Sequence, residues 1–189
     1  MIEIEQINLL NDMDLKLLYK GFKSKWQRIL KVDSFEEFCK LYKSTSLTET
    51  YYRVIYNGRL AGLFAISGYF SKKKQTSIRT RKFSDWRWHI GINLLSDKIA
   101  RNECYMSFLV IDNNFQGKGI GKKCLQYIEK FTLNLNKINC ITLFVSTENS
   151  RAIQLYKHQG FEIDSQLNSF LTKHFIGEKK WYKMKKFLG

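Results

Sequence analysis

The sequence predicts an α/β (α+β) fold, a mixed sheet of about seven strands flanked by helices, and three observations carry that expectation. From Thr50 the chain reads Tyr-Tyr-Arg-Val-Ile-Tyr, then Asn57-Gly58, then Arg-Leu-Ala-Gly-Leu-Phe-Ala-Ile, which is a strand, a type I′ turn and a strand. Residues 105–145 read strand, helix, strand, a crossover that sets its two strands parallel in a right-handed arrangement. The full order is strand, two helices, hairpin, helix, strand, helix, strand, helix and two strands. That is not a repeated βα unit, so the sheet is mixed.

Each element has a local reason. Residues 2–7 alternate as a strand does. Asn11 offers a helix cap with Asp14 three residues on, ahead of Leu15, Leu18, Phe22, Trp26, Ile29 and Leu30 at helical spacing. Ser34 is a second cap, with Glu37 at the capping-box position before Phe35, Phe38, Leu41 and Tyr42. Residues 68–82 are basic and polar, a connection. A helix with a broad apolar face follows, built on Trp86, Trp88, Ile92, Leu95 and Ile99. After the strand 105–111 comes a helix from Gly119 to about Leu135, a strand from Cys140 to Val145, and a helix from Asn149 that Gly160 ends. Strands at about 161–170 and 179–187 close the chain.

Composition bounds the class. A chain of 189 residues, 44% hydrophobic and 26% charged, suits one domain with a buried core. No apolar run approaches a membrane span, and the acidic, alternating start is no secretory leader, so a soluble, cytoplasmic protein without membrane contact is expected. Cys39, Cys104, Cys124 and Cys140 are scattered, with no C-x-x-C pair, and read as buried small hydrophobes in a reducing compartment. With His89, His158 and His174 dispersed, no metal centre is expected. Lys and Arg number 32 against 17 Asp and Glu, a formal net charge of +15 whose field favours anionic ligands. The basic residues are spread widely, and no helix-turn-helix, zinc-finger or aromatic-plus-basic signature points to nucleic acid. Proline is absent, so turns rest on Gly, Asn, Asp and Ser.

Two stretches carry chemistry. Gln116-Gly117-Lys118-Gly119-Ile120-Gly121 follows a strand and opens a helix, where bare N–H groups make a site for phosphate or pyrophosphate, and Lys118 and Lys122 add positive charge. Tight packing at a strand-to-helix corner is the plainer explanation of the same glycines. The spacing is neither that of a nucleotide P-loop nor a Rossmann fingerprint, because Lys122 and Cys124 stand where a third glycine would be needed. In the second stretch, from Asn149 to Phe161, Asn149 and Tyr156 lie two helical turns apart on one face with Ala152 between them. Taken alone, Asn149 could be a cap and Tyr156 a core ring.

Together the two stretches resemble the GNAT superfamily of acetyl-CoA-dependent N-acetyltransferases. Gln116, Gly119 and Gly121 meet its [QR]-x-x-G-x-[GA] motif, and Asn149, Ala152, Tyr156, Gly160 and Phe161 meet N-x-x-A-x-x-x-Y-x-x-x-G-F at every fixed position. The resemblance is good over about residues 50–165. It implies a mostly antiparallel sheet with a central parallel pair, and a single N-acetyltransferase domain over 1–189 with an extended segment at 68–103. It implies acetyl-CoA as co-substrate and an amine as acceptor. The net charge of +15 argues against a polyamine or aminoglycoside, although Asp12, Asp14, Asp33, Glu36 and Glu37 could make a local acidic mouth, and an amine of a small molecule or amino acid is expected. By the same resemblance, Leu109, Val110 and Ile111 should offer backbone groups to the pantetheine arm, with an N–H at Val110 or Ile111 holding the oxyanion. Gly117, Gly119, Gly121 and the amides beside them should bind the pyrophosphate, Asn149 the pantetheine, and Tyr156 should protonate the departing thiolate.

The sequence departs from the family's common pattern in two places. Where many members place a glutamate in the strand before the Gly-rich turn, Tyr105 and Ser107 stand here, which leaves Glu103 as a base acting through water or a substrate of depressed pKa. Asn113 stands where many relatives carry proline. The 68–103 segment, with Trp86, Trp88 and His89, could wall the acceptor pocket or simply pack on the sheet. Acetylation of a protein N-terminus and a non-catalytic acyl-CoA-binding module are the competing readings, and the C-terminal edge strand could pair in a homodimer.

Overall fold

The Asn57-Gly58 turn fixes the register of the sheet. Asn57 takes φ 48° and Gly58 φ 74°, the two left-handed residues a type I′ turn requires, and Tyr56 faces Arg59 across them. The computed structural model describes residues 1–44, 49–68, 70 and 99–189, and in it this hairpin is β2 (Thr50–Tyr56) with β3 (Arg59–Ser67). The other strands are β1 (Ile2–Ile7), β4 (Glu103–Ile111), β5 (Cys140–Ser146), β6 (Glu162–Asn168) and β7 (Lys180–Phe187). They form one seven-stranded sheet in the order β1-β2-β3-β4-β5-β7-β6. Every neighbouring pair is antiparallel except β4 and β5, the two ends of the crossover. This is the mixed, mostly antiparallel sheet with a central parallel pair that the sequence led us to expect.

The helices are α1 (Asp12–Gly21), α2 (Lys23–Leu30), α3 (Phe35–Ser44), α4 (Ile120–Leu133), α5 (Ser150–His158) and α6 (Phe170–Ile176). Alternation along the strands sends residues to two cores, one on each face. Phe64, Met106, Ile141 and Leu143 join Ile120, Cys124, Leu125 and Ile128 of α4 on one side. Leu63, Val110 and Trp181 join Leu15, Leu18, Ile29, Leu30 and Phe38 of the first three helices on the other. Cys104, Cys124 and Cys140 are buried free thiols, and burial pushes Cys104 up to about 11 and Cys124 up to about 12, so they pack as small hydrophobes. Among the described residues no helix is long and apolar enough to cross a membrane, and no cluster of metal-ligating side chains occurs.

Two departures from the sequence expectation have simple causes. The periodic run from Leu15 to Leu30 is two helices, because the chain leaves helical geometry at Phe22 (φ −130°) while the i to i+4 spacing from Phe22 to Trp26 continues unbroken. Residues 170–176 form the helix α6, where the sequence reads only as the end of one strand and the approach to the next. Ser169 caps it by accepting from the N–H groups of Leu171 and Thr172, and Gly177 at φ 95° ends it. The helix expected around Trp86 and Trp88 lies in residues 84–98, outside the described residues.

The start of α1 is tied to the sheet by a buried carboxylate. Asp14 is fully buried and completes the Asn11 capping box, and it accepts from Nε of Arg53 on β2 at 2.8 Å and from its Nη2 at 2.5 Å. Removing that carboxylate leaves Arg53 with Glu5 alone and takes the acceptor from Asn11 N–H, while the Asn11 side chain still caps the helix. Asp14→Ala is therefore expected to cost about 1–3 kcal/mol, read as a loss of unfolding free energy in urea.

Candidate active site

The site exists because the parallel pair comes apart. β4 and β5 are in register for four pairs, Glu103–Cys140 to Met106–Leu143, and then stop pairing. Beyond that point β4 stays zipped to β3, and β5 stays zipped to β7. A bulge accompanies the opening. β3 and β4 step from Ala65–Phe108 to Ile66–Met106, so Ser107 is an extra residue on β4, and a bulge of this kind bends a strand and sharpens its twist. Two cavities occupy the wedge, one of about 260 Å³ and one of about 320 Å³. They share Leu109, Asn149, Ala152 and Tyr156 as a common wall.

The larger of these two cavities holds the glycine turn and Lys122, the residues from which an anion site is expected. Gly117 (φ 78°) and Gly119 (φ 74°) are both left-handed, and a Cβ added to either would meet nothing within 4 Å, so the turn faces open space. Gly119 is the N-cap of α4 and offers no side-chain cap. The first helical bond runs from Lys123 N–H to Gly119 O, which leaves the N–H groups of Ile120, Gly121 and Lys122 free of helical partners. At Gly121 a Cβ would come within 2.9 Å of Leu155 Cδ2, the movable end of a side chain on α5, so a small residue is favoured there but the contact does not demand glycine.

Each predicted residue has a distinct placement here. Ile120 is core, so it can offer only its N–H. Lys122 lines the cavity, whereas Lys118 is not among its lining residues and lies over the rings of Tyr56 and Phe115 at 5.3 and 5.2 Å. Gln116 ties the turn down. Its amide nitrogen donates to Asn113 Oδ1 at 2.8 Å and to the Ile111 carbonyl at 3.3 Å, and its oxygen accepts from Arg151 of α5 at 2.5 Å. Leu109 and Ile111 line the cavity, while the Val110 side chain is buried on the opposite face with the first helices. The residues present fit a pyrophosphate with an extended thiol arm.

α5 supplies the shared wall. Asn149 caps the helix by accepting from Ala152 N–H at 3.1 Å and also lines both cavities, so its two readings are compatible. Tyr156 is buried, its ring set against Phe161 at 5.8 Å, and burial pushes its phenol up to about 12. It is protonated at neutral pH and makes no hydrogen bond among the described residues. A proton donor thus stands where the two cavities meet.

The smaller cavity is walled mainly by rings, among them Phe22, Trp26, Phe108, Phe144 and Trp181. Its described residues include one carboxylate that sequence reasoning passed over, Glu49, immediately before β2. Loss of water holds the Glu49 carboxyl above its ordinary value. The Tyr51 hydroxyl donates to its Oε2 at 2.9 Å and favours the charged form, as does the Ser107 hydroxyl, although the latter stands outside hydrogen-bond geometry. Tyr42 sits 3.2 Å behind Tyr51, and since Tyr51 gives its proton to Glu49, Tyr42 is the donor in that pair. Glu103, the base candidate from sequence, is elsewhere. It opens β4, accepts from Ala100 N–H at 3.3 Å, and does not line either cavity.

Comparison with known proteins gives a consistent result. The profile described as the Acetyltransferase (GNAT) family matches residues 15–161. A probable spermine N(1)-acetyltransferase from Bacillus subtilis subsp. natto (strain BEST195) is 38% identical over 69 residues, 36% of this chain and 41% of that protein. The match therefore spans about two-fifths of the relative's length. Among solved structures, the ribosomal-protein-S18-alanine N-acetyltransferase of Escherichia coli aligns over 100% of this chain and 95% of its own, with TM-score 0.59 and 16% identity. An acetyltransferase from Bacillus subtilis in complex with CoA aligns over 100% of both chains, with TM-score 0.61 and 15% identity. At such identities these two structures speak for the fold.

Proposed function

Because this chain belongs to the acetyltransferase (GNAT) family, we propose that it is an N-acetyltransferase that moves an acetyl group from acetyl-CoA onto a primary amine of a small molecule or amino acid. The observation that carries the reading is the meeting of the anion-side cavity and the ring-walled cavity at Tyr156. When bound, acetyl-CoA supplies an acetyl group already activated as a thioester. The free N–H groups from Ile120 to Lys122, with the glycine turn and Lys122, receive its pyrophosphate. Asn149, its oxygen committed to capping α5, offers its amide nitrogen to the pantetheine arm. A backbone N–H of the unzipped β4 segment, at Val110 or Ile111, steadies the negative charge that develops on the acetyl oxygen. Tyr156 gives a proton to the departing sulfur. Burial keeps the phenol protonated at neutral pH, and because a thiolate is a weaker base than that phenolate, the transfer depends on the hydroxyl being held against the sulfur as the C–S bond breaks.

Free thiol release from acetyl-CoA, followed with pooled primary amines, tests the reading. Turnover is expected to require one amine pool and to produce the acetylated amine by mass. Release that ignores every amine would replace it with thioester hydrolysis, and CoA binding with no turnover on any small amine or peptide would replace it with a non-catalytic acyl-CoA-binding role. The name of the Bacillus subtilis subsp. natto relative makes spermine one of the first amines to include.

A further inference from the structure

Resting on the acetyl-transfer reading above, we propose that Glu49 receives the acceptor's ammonium group and removes its proton, and that the acceptor is a monoamine on an apolar, ring-sized body. Among the described residues lining the smaller cavity, Glu49 is the one carboxylate. The one lysine there, Lys25, is already engaged, 3.5 Å from Glu178 and over the Trp181 ring at 4.8 Å. Tyr51 occupies Oε2 of Glu49, and the buried Ser107 hydroxyl, which favours its charged form, completes no hydrogen bond to it. An ammonium group is the natural occupant, since a desolvated carboxylate is best satisfied by charge-assisted donors. The groups sharing this space are the Tyr42 and Tyr51 phenols beside Glu49, Tyr105 on β4, Lys25 on α2 and Tyr156 on α5. Burial together with the Glu49 charge drives the Tyr42 and Tyr51 phenols upward, so both remain donors.

The walls decide what can accompany the nitrogen. Phe22, Trp26, Phe108, Phe144 and Trp181 offer ring faces and edges to an apolar body. A polyamine would bring further ammonium groups into the same cavity with no second described carboxylate to meet them. Cation–π contact with the rings offsets only part of that desolvation.

The proton count closes. Of the three protons on the ammonium, one passes to Glu49 and on to solvent, one remains on the amide, and one is matched by the proton Tyr156 gives to sulfur. A C–N bond forms as the C–S bond breaks, and nothing is oxidised or reduced.

The test compares 2-phenylethylamine, n-hexylamine and spermidine with wild-type protein, Glu49→Gln and Glu49→Asp. Calorimetric titration of each amine into CoA-saturated protein reads binding without turnover, and thiol release reads the reaction. We expect 2-phenylethylamine to be favoured over spermidine by about tenfold or more in kcat/KM, the scale of one unpaired contact. Glu49→Gln should lose about 10²–10⁴-fold in kcat with CoA affinity unchanged, and its activity should recover about tenfold per pH unit as free amine accumulates. In the wild type, the carboxylate is the active form and its pKa is raised. The acid limb of kcat/KM should therefore fall at higher pH than an ordinary carboxylate gives, and in Glu49→Gln it should be replaced by the slope of the free amine's own titration. Partial activity in Glu49→Asp supports the carboxylate. The proposal is overturned by preference for spermidine, by an unchanged pH profile in Glu49→Gln, or by no binding of 2-phenylethylamine. Binding of 2-phenylethylamine that depends on Glu49, with no acetylation of any amine, would keep the amine site and overturn the acetyl-transfer reading instead.

Discussion

Tyr156→Phe is expected to lower amine acetylation by about 10²–10⁴-fold while CoA still binds, the range set by loss of one general acid. The substitution removes only the hydroxyl. The ring keeps its place against Phe161, and the phenol has no hydrogen bond among the described residues to strand, so the fold should be little changed. The sign with pH follows from the raised pKa. A phenol pushed up to about 12 is protonated throughout the neutral range, so Tyr156 imposes no alkaline limb there. Thiol release with both proteins across pH 6.5 to about 9 reads the effect, on the logic that each essential group prints its own limb. A Phe variant with full turnover would move the acid role to water or another group.

Ala152→Phe is expected to weaken CoA binding by about 100-fold, equivalent to about 2.7 kcal/mol, with thermal stability nearly preserved. Ala152 lies on α5 between Asn149 and Tyr156, is only partly buried, and lines both cavities. A phenyl ring there fills the passage the thiol arm needs, and Ala152 meets the core only at its margin, as one of the partly buried residues packed against it. Calorimetric titration with CoA checks this. Unchanged affinity would mean the arm runs elsewhere.

Much of this site is legible in the amino-acid sequence because its determinants are local. A type I′ turn, an N-cap at Asn11, a glycine pair at a helix start and a phenol two turns past Asn149 are all written within a few residues of themselves. What the sequence hides is either ambiguous or distant. The break at Phe22 leaves the apolar spacing intact on both sides, so periodicity does not register it. The helix α6 is shorter than a periodic pattern needs, and its only signal is the pair of caps, Ser169 and Gly177, that bracket it. Glu49 has no signal in its own neighbourhood. Its chemistry comes from Tyr42 on α3, Tyr51 on β2 and the bulge at Ser107 on β4, which only tertiary structure assembles. Glu103 fails for the complementary reason. Strand parity says which face it shares but not that β4 and β5 are still zipped where it stands.

The unzipping of β4 from β5 also fixes the order of events in time. On the proposed reading, two cavities sharing one wall, rather than a single cavity used in turn, would let both ligands be held together, so neither would need to leave before the other arrives. Transfer should then pass through a ternary complex. Double-reciprocal plots at several fixed amine concentrations should intersect rather than run parallel, and no acetylated enzyme should accumulate when acetyl-CoA is offered alone.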